Sequence, residues 1–92
     1  MSEGREYTVD LTRVRSERTL HGRIAAALPV PEGYGRNYDA LHDFLTEWGE
    51  GMSVRFLNCA GSFATLRAVC EDAQRETPGL AIAFEREVRR RA

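Results

Sequence analysis

Long apolar runs are the first thing this 92-residue sequence lacks. Its longest are five residues, residues 24–28 among them, against the ~20 that a membrane-spanning helix needs. Residues 1–6 are polar and carry no apolar signal-peptide core, so a cytoplasmic protein with no membrane partner is expected. Cysteine is scarce too. Cys59 and Cys70 are too few for a disulfide scaffold and suit small buried thiols in a reducing compartment. With His21 and His42 they share no short ligand spacing, so neither a metal nor a cofactor is expected. No glycine-rich phosphate cradle is present. No serine nucleophile accompanies the adjacent His42-Asp43 pair, whose side chains would point about 100° apart on a helix. Cys59 falls between a strand and a helix, where a thiolate can be stabilised. The phosphatase-like loop of cysteine, five residues and arginine would need arginine at 65; Thr65 stands there, and the first arginine is Arg67. Enzyme activity is not expected.

Charge, by contrast, is present but unevenly spread. The net charge of −1 hides a stretch, residues 32–50, with five acids against one arginine, and another, 71–76, with three acids against one. Residues 85–92 hold four arginines and two glutamates. An acidic surface helix repels phosphate, so direct nucleic-acid binding is not expected. The length allows one domain over residues 1–92, burying about 60–65% of its unfolded surface. Its core is expected over about 6–85, with 86–92 as a basic tail, frayed or loosely helical.

Periodicity supplies the elements. Tyr7, Val9 and Leu11 alternate with Thr8 and Asp10, a strand with one buried face. Ser16 sits where an N-cap belongs, and Leu20, Ile24, Ala27 and Leu28 repeat at helical spacing until Pro29 ends the helix. Pro29 and Pro31 stiffen the loop that follows, leaving little entropy to lose if it meets a partner. Met52, Val54 and Phe56 mark a second strand. Residues 58–62 turn into a third helix carrying Phe63, Leu66, Val69, Cys70 and Ala73 on its apolar positions. Pro78-Gly79 stops it, and residues 80–84 have strand length. The order β-α-α-β-α-β implies parallel strands joined by right-handed helical crossovers. The fold class is α/β: a small three-stranded parallel β-sheet packed by about three α-helices.

The stretch GYGRNYDALHDFLTEW, residues 33–48, organises the rest. On a helical wheel Tyr38, Leu41, Phe44, Leu45 and Trp48 form one stripe, which would dock on a core. Asp39, Asp43 and Thr46 lie opposite, with His42 at their flank. Asn37 or Gly35 is placed to start the helix, and Asp39 in its first turn suits the helix dipole. Asp43, one turn later, has no such local reason to be acidic.

The run LHGRIAAALPVPEGYGRNYDALHDFLTEW resembles the barstar family of ribonuclease inhibitors. The resemblance is carried by Leu20-His21, Pro31-Glu32, Tyr34-Gly35, Asn37 and Asp39-Ala40-Leu41, then Asp43, Leu45, Thr46 and Trp48, in register without a gap. It implies the same parallel fold and a monomer that forms a 1:1 complex with a small secreted ribonuclease. The chain's job would be immunity against a toxic nuclease. Carried over residue by residue, Asp43 is the central carboxylate, standing in for a substrate phosphate in the cationic cleft. Gly35, Asn37, Asp39 and Thr46 flank it, Trp48 sits at the edge, and Asp72 and Glu76 on the third helix form a second acidic contact. Gly33, Tyr34 and His42 belong to the same face. Three positions depart from the family: His42 stands where it has a partner-facing tryptophan, Gly33 where it has a tyrosine, and Glu47 where it has a glycine. The family's extra helix after the second strand also has little room here. Two other readings stand beside this one: an acidic α/β interaction module with a non-ribonuclease partner, and a thiol enzyme using Cys59.

Overall fold

The computed structural model describes residues 5–59 and 63–85. They form β1 (Arg5–Asp10), α1 (Glu17–Ala27), α2 (Tyr38–Trp48), β2 (Met52–Leu57), α3 (Ala64–Glu76) and β3 (Ala81–Phe84), the expected order. The basic stretch 86–92 and residues 60–62 of the expected turn lie outside the described residues.

The three strands are parallel and lie in the order β1-β2-β3. Register pairs Val9 with Phe56 and Tyr7 with Val54, and on the other side Val54 with Ile82 and Phe56 with Phe84. Both crossovers step the same way across the sheet, so right-handed connections put every helix on one face. Burial agrees. Val9, Met52, Val54 and Phe56 are buried and Tyr7, Ile82 and Phe84 partly so, whereas Glu6, Thr8, Asp10, Arg55, Ala81 and Ala83 on the opposite face are exposed. The exposed face is polar and internally tied: Arg55 Nε and Nη2 donate to Glu85 Oε2 at 2.8 and 2.7 Å.

Within the helical layer α1 lies over β1, while α2 packs chiefly along α3, which also reaches β3. Ser16 caps α1 as its spacing suggested, its hydroxyl accepting from Thr19 N at 3.1 Å. Leu20, Ile24, Leu41, Phe44, Leu45, Leu66, Cys70 and Ala73 join the strand residues in one contiguous core. Gly49 ends α2 with an ordinary right-handed φ of −83°. It must be glycine for another reason: a Cβ there would sit 2.1 Å from the Leu45 carbonyl oxygen.

Beyond the carboxyl ends of β1 and β2, a small polar knot joins the two strands. Asn58 Nδ2 donates to Asp10 Oδ1 at 2.8 Å and to Thr12 Oγ1 at 2.9 Å, and Thr12 donates to the same carboxylate through its hydroxyl and its amide. The Thr12 hydroxyl first, then Asn58, hold the Asp10 pKa down at about 2. Arg23, reaching from α1, donates to the carbonyls of Asp10 and Thr12.

His21 is the polar exception in the core. Its residue is 1% exposed, and neither ring nitrogen has a hydrogen-bond partner among the described residues. The ring packs against Tyr38 in a T-shaped pair with centroids 4.8 Å apart. Burial lowers its pKa below the ordinary 6.5, with the Glu17 carboxylate pulling the other way. The folded chain therefore keeps the imidazole neutral while the unfolded chain takes up a proton. Its stabilising contribution is full above the unfolded value of 6.5 and is lost as pH falls from there toward the folded value. Asp10 follows the same sign, but its window lies below its unfolded 3.8. Denaturation midpoints should fall between about pH 7 and about pH 5, and His21→Leu should flatten that slope. A parent curve already as flat as the variant's would remove His21 from the account.

Candidate functional site

The loop from α1 to α2 is held from both ends. Val30 N donates to the Leu28 carbonyl at 2.8 Å and Tyr34 N to the Pro31 carbonyl at 3.0 Å. Val30 and Tyr34 also pack against the core. Burial raises the Tyr34 pKa to about 12, and its hydroxyl finds no partner among the described residues. Gly33 has a φ of +89°, a left-handed value, so the glycine at this departure from the family pattern is one the backbone requires here. Gly35 fits closely, since a Cβ on it would lie 3.3 Å from Asn37 Nδ2.

Asn37, one of the two expected starting points, is the N-cap of α2: its Oδ1 accepts from Ala40 N at 2.7 Å. The helix then buries Leu41, Phe44 and Leu45 almost completely, and Tyr38 partly. Trp48 corrects the wheel. By spacing it lies on the apolar stripe, yet it is 53% exposed. Glu76, the last residue of α3, lies beside His42, with His42 Nε2 3.6 Å from Glu76 Oε2. The later turns of α2 thus run on past the end of α3, and Trp48, on the last of them, is left uncovered. Arg5 completes this end of α2, donating to the Trp48 carbonyl at 2.8 Å and the Glu50 carbonyl at 3.1 Å. Sequence reading missed this contact because its partners lie more than 40 positions apart.

On the outward face, Asp39, Asp43 and Glu47 recur every four residues, all exposed. None of the three carboxylates makes a hydrogen bond or ion pair with a described residue. Like charges at this spacing cost a helix about 0.2–0.5 kcal/mol per pair. Folding gives a reason for Asp39, which suits the helix dipole in the first turn, but none for Asp43 and Glu47. The Thr46 hydroxyl is already used within the helix, donating to His42 O at 2.9 Å with Asp43 O at 3.2 Å. On α3 the acids are partly engaged as well: Asp72 accepts from Arg75, and Glu76 meets His42. Gly33, Tyr34, Gly35, Asn37, Asp39, His42, Asp43, Thr46 and Trp48 therefore follow one another along one loop and helix, and Glu76 joins them across the α2–α3 seam. Asp72 sits one turn before Glu76, on the exposed side of α3.

The cysteines are placed differently. Cys59 is fully buried, and Arg67 Nη2 donates to its sulfur at 3.6 Å while stacking over Phe84. Burial pushes the Cys70 thiol up to about 12, so it stays protonated. No group of three or more His, Cys, Asp or Glu among the described residues is arranged to hold a metal ion. What the outward face of α2 offers chemically is fixed negative charge on a rigid support.

A family model described as Barstar (barnase inhibitor) matches residues 5–89. The match spans every element described above, from the first residue of β1 to beyond β3.

The cap that sets the start of this face is testable by itself. Asn37→Ala should destabilise the chain by about 1 kcal/mol, and Asn37→Gly by only a few tenths. Denaturant titration reads both, and equal midpoints for the alanine variant and the parent would show that the cap bond contributes nothing.

Proposed function

Since the chain belongs to the barstar family of barnase inhibitors, we propose that it neutralises a small secreted ribonuclease by laying the acidic face of α2 into the enzyme's cationic catalytic cleft. The carrying observation is the row of unpaired carboxylates, Asp39, Asp43 and Glu47, on a helix whose opposite side is locked in the core. A catalytic cleft built for RNA presents cations to phosphate. Fixed carboxylates at the right spacing satisfy those cations without offering a bond to cleave.

In this reading Asp43 is the central contact, Asp39 lies one turn toward the cap, and Gly33, Tyr34, Gly35 and Asn37 line the approach from the loop. Thr46 and Trp48 close the far edge, with Trp48 as an exposed aromatic anchor of the kind that dominates interfaces. Glu76 adds charge beside His42. Asp72 must share Arg75 with the partner, so its contribution is the smaller of the two. His42 and Gly33 remove two aromatic anchors of the family pattern, which directs the chain to a ribonuclease shaped differently from the family's best-known target. The whole chain acts as one domain, a monomer forming a 1:1 complex in the cytoplasm, with no catalysis of its own. Its role is to protect the producing cell from a nuclease made for export.

Two substitutions separate binding from folding. Asp43→Ala should weaken inhibition by about 2–5 kcal/mol, mostly because it strands the partner's buried cations, while stability moves by less than ~0.5 kcal/mol. Leu41→Ala should do the reverse, destabilising the chain by about 2–5 kcal/mol. An RNA-cleavage assay beside a denaturation curve reads both. Unchanged inhibition by Asp43→Ala would rule out Asp43 as the central contact.

Steering adds a kinetic signature. Association should exceed the ~10⁵–10⁶ M⁻¹s⁻¹ of unsteered pairs at low salt and fall as salt rises, since the screening length shrinks to about 8 Å near 0.15 M. Dissociation should change far less, because charges sealed in the complex are poorly screened. An on-rate flat across the salt series would mean the acidic face is merely solvated.

A further inference from the structure

At the other end of the helical layer from Trp48, a cleft of about 600 Å³ opens beyond the carboxyl ends of β1 and β2. It lies between the first turns of α1 and α3, and Tyr38, the first residue of α2, forms part of its wall. This is the end of a parallel sheet where α/β proteins place small ligands, and the volume falls in the ~300–1,000 Å³ range of such sites.

The lining has two parts. Leu11, Val14 and Leu20 supply an apolar floor, and the half-buried rings of Tyr38 and Phe63 stand as aromatic walls. The rim carries Arg13 and Arg15, both exposed. Neither arginine has a partner among the described residues. Arg5, Arg23, Arg55, Arg67 and Arg75 are each engaged within the chain; Arg18 and Arg36 are as free as the rim pair but do not line the cleft. Glu17 is the one acid among the lining residues, and its place in the first turn of α1 is explained by the helix dipole. Two free guanidinium groups over an apolar, aromatic-walled recess match a flat ring that bears a phosphate. The rings stack it, and the arginines grip the anion in their planar forks.

We propose that this cleft binds a phosphorylated planar small molecule of mononucleotide size. A nucleic-acid strand is a poorer occupant, because the acidic row of α2 begins one residue from Tyr38 and would repel a continuing line of phosphates. The proposal is independent of ribonuclease inhibition: the cleft lies off the outward face of α2, and Arg13, Arg15 and Phe63 have no part in that contact.

The test is an amide-shift titration of the full chain with AMP, GMP, CMP and UMP in turn, up to millimolar concentration. At least one should saturate, with shifts centred on residues 13–17, 58 and 64–65. The matching nucleoside and inorganic phosphate, each alone, should bind about tenfold more weakly or worse, the scale of losing one charge-assisted hydrogen bond. Arg15→Glu should weaken the nucleotide by about tenfold or more on the same scale, while its denaturation midpoint and its inhibition of ribonuclease stay at parent values. Arg13→Asn, which keeps a residue tolerant of the left-handed turn at position 13 (φ 63°), gives a second reading of the rim. Any one of four results would overturn the proposal: no saturation by any of the four nucleotides, phosphate alone binding as well, an Arg15→Glu variant that binds normally, or a short RNA binding more tightly than every mononucleotide.

Discussion

Leu41, Phe44 and Leu45 are each no more than 3% exposed, and their burial holds α2 in one orientation against the core. Burying side chains of this size is worth about 1.5–3 kcal/mol each. The like-charge row on the opposite side, Asp39, Asp43 and Glu47, costs about 0.2–0.5 kcal/mol per adjacent pair. Burial therefore wins by several-fold, and the helix can carry a face that folding alone would not select. The Asn37 cap at one end and the Arg5 contacts at the other fix where that face begins and ends. In the proposed complex a partner would meet carboxylates already in position, with little ordering to bring about.

The one-sided sheet explains why α2 is available at all. Strands in the order β1-β2-β3 gather all three helices on one face, and α1 and α3 take the ground above β1 and β3. α2 then rests chiefly along α3 with its polar side outward. The open face of the sheet is closed to casual association by its own chemistry, with Glu6, Asp10 and the Arg55–Glu85 pair among its exposed groups. Polar groups of this kind blunt a bare sheet.

Much of this was legible in the residues. Alternation in residues 7–11 and 52–56, the Ser16 cap, the start of α2 at Asn37 or Gly35, and the apolar repeat in each helix are local signals, and each element came out within a residue or two in the structure, with Asn37 as the cap of α2. The parallel pairing followed from the order of elements. Other features were not local. Trp48 lies on the apolar stripe of the wheel, but a wheel does not reveal that α3 stops beside His42. Arg5 reads as a terminal charge until the chain brings α2 back to it. His21 reads as polar, yet it is sealed beneath Tyr38 with no partner for either nitrogen among the described residues. The strand order and the cleft at the carboxyl end of the sheet are consequences of packing, and periodicity carries no trace of them. The residues proposed for the face lie within one loop and helix, close together in sequence, whereas the contact of Glu76 with His42 required the fold.

The central claim is that the acidic face of α2 occupies the catalytic cleft and does not bind a remote surface. The most direct measurement is the association rate of this chain with a barnase-type ribonuclease whose cleft is progressively filled by a noncleavable RNA dinucleotide. The account predicts that association slows in proportion to the fraction of clefts occupied, because carboxylates and phosphates compete for the same cations. Association that proceeds at an unchanged rate, giving a ternary complex of enzyme, dinucleotide and chain, would contradict it.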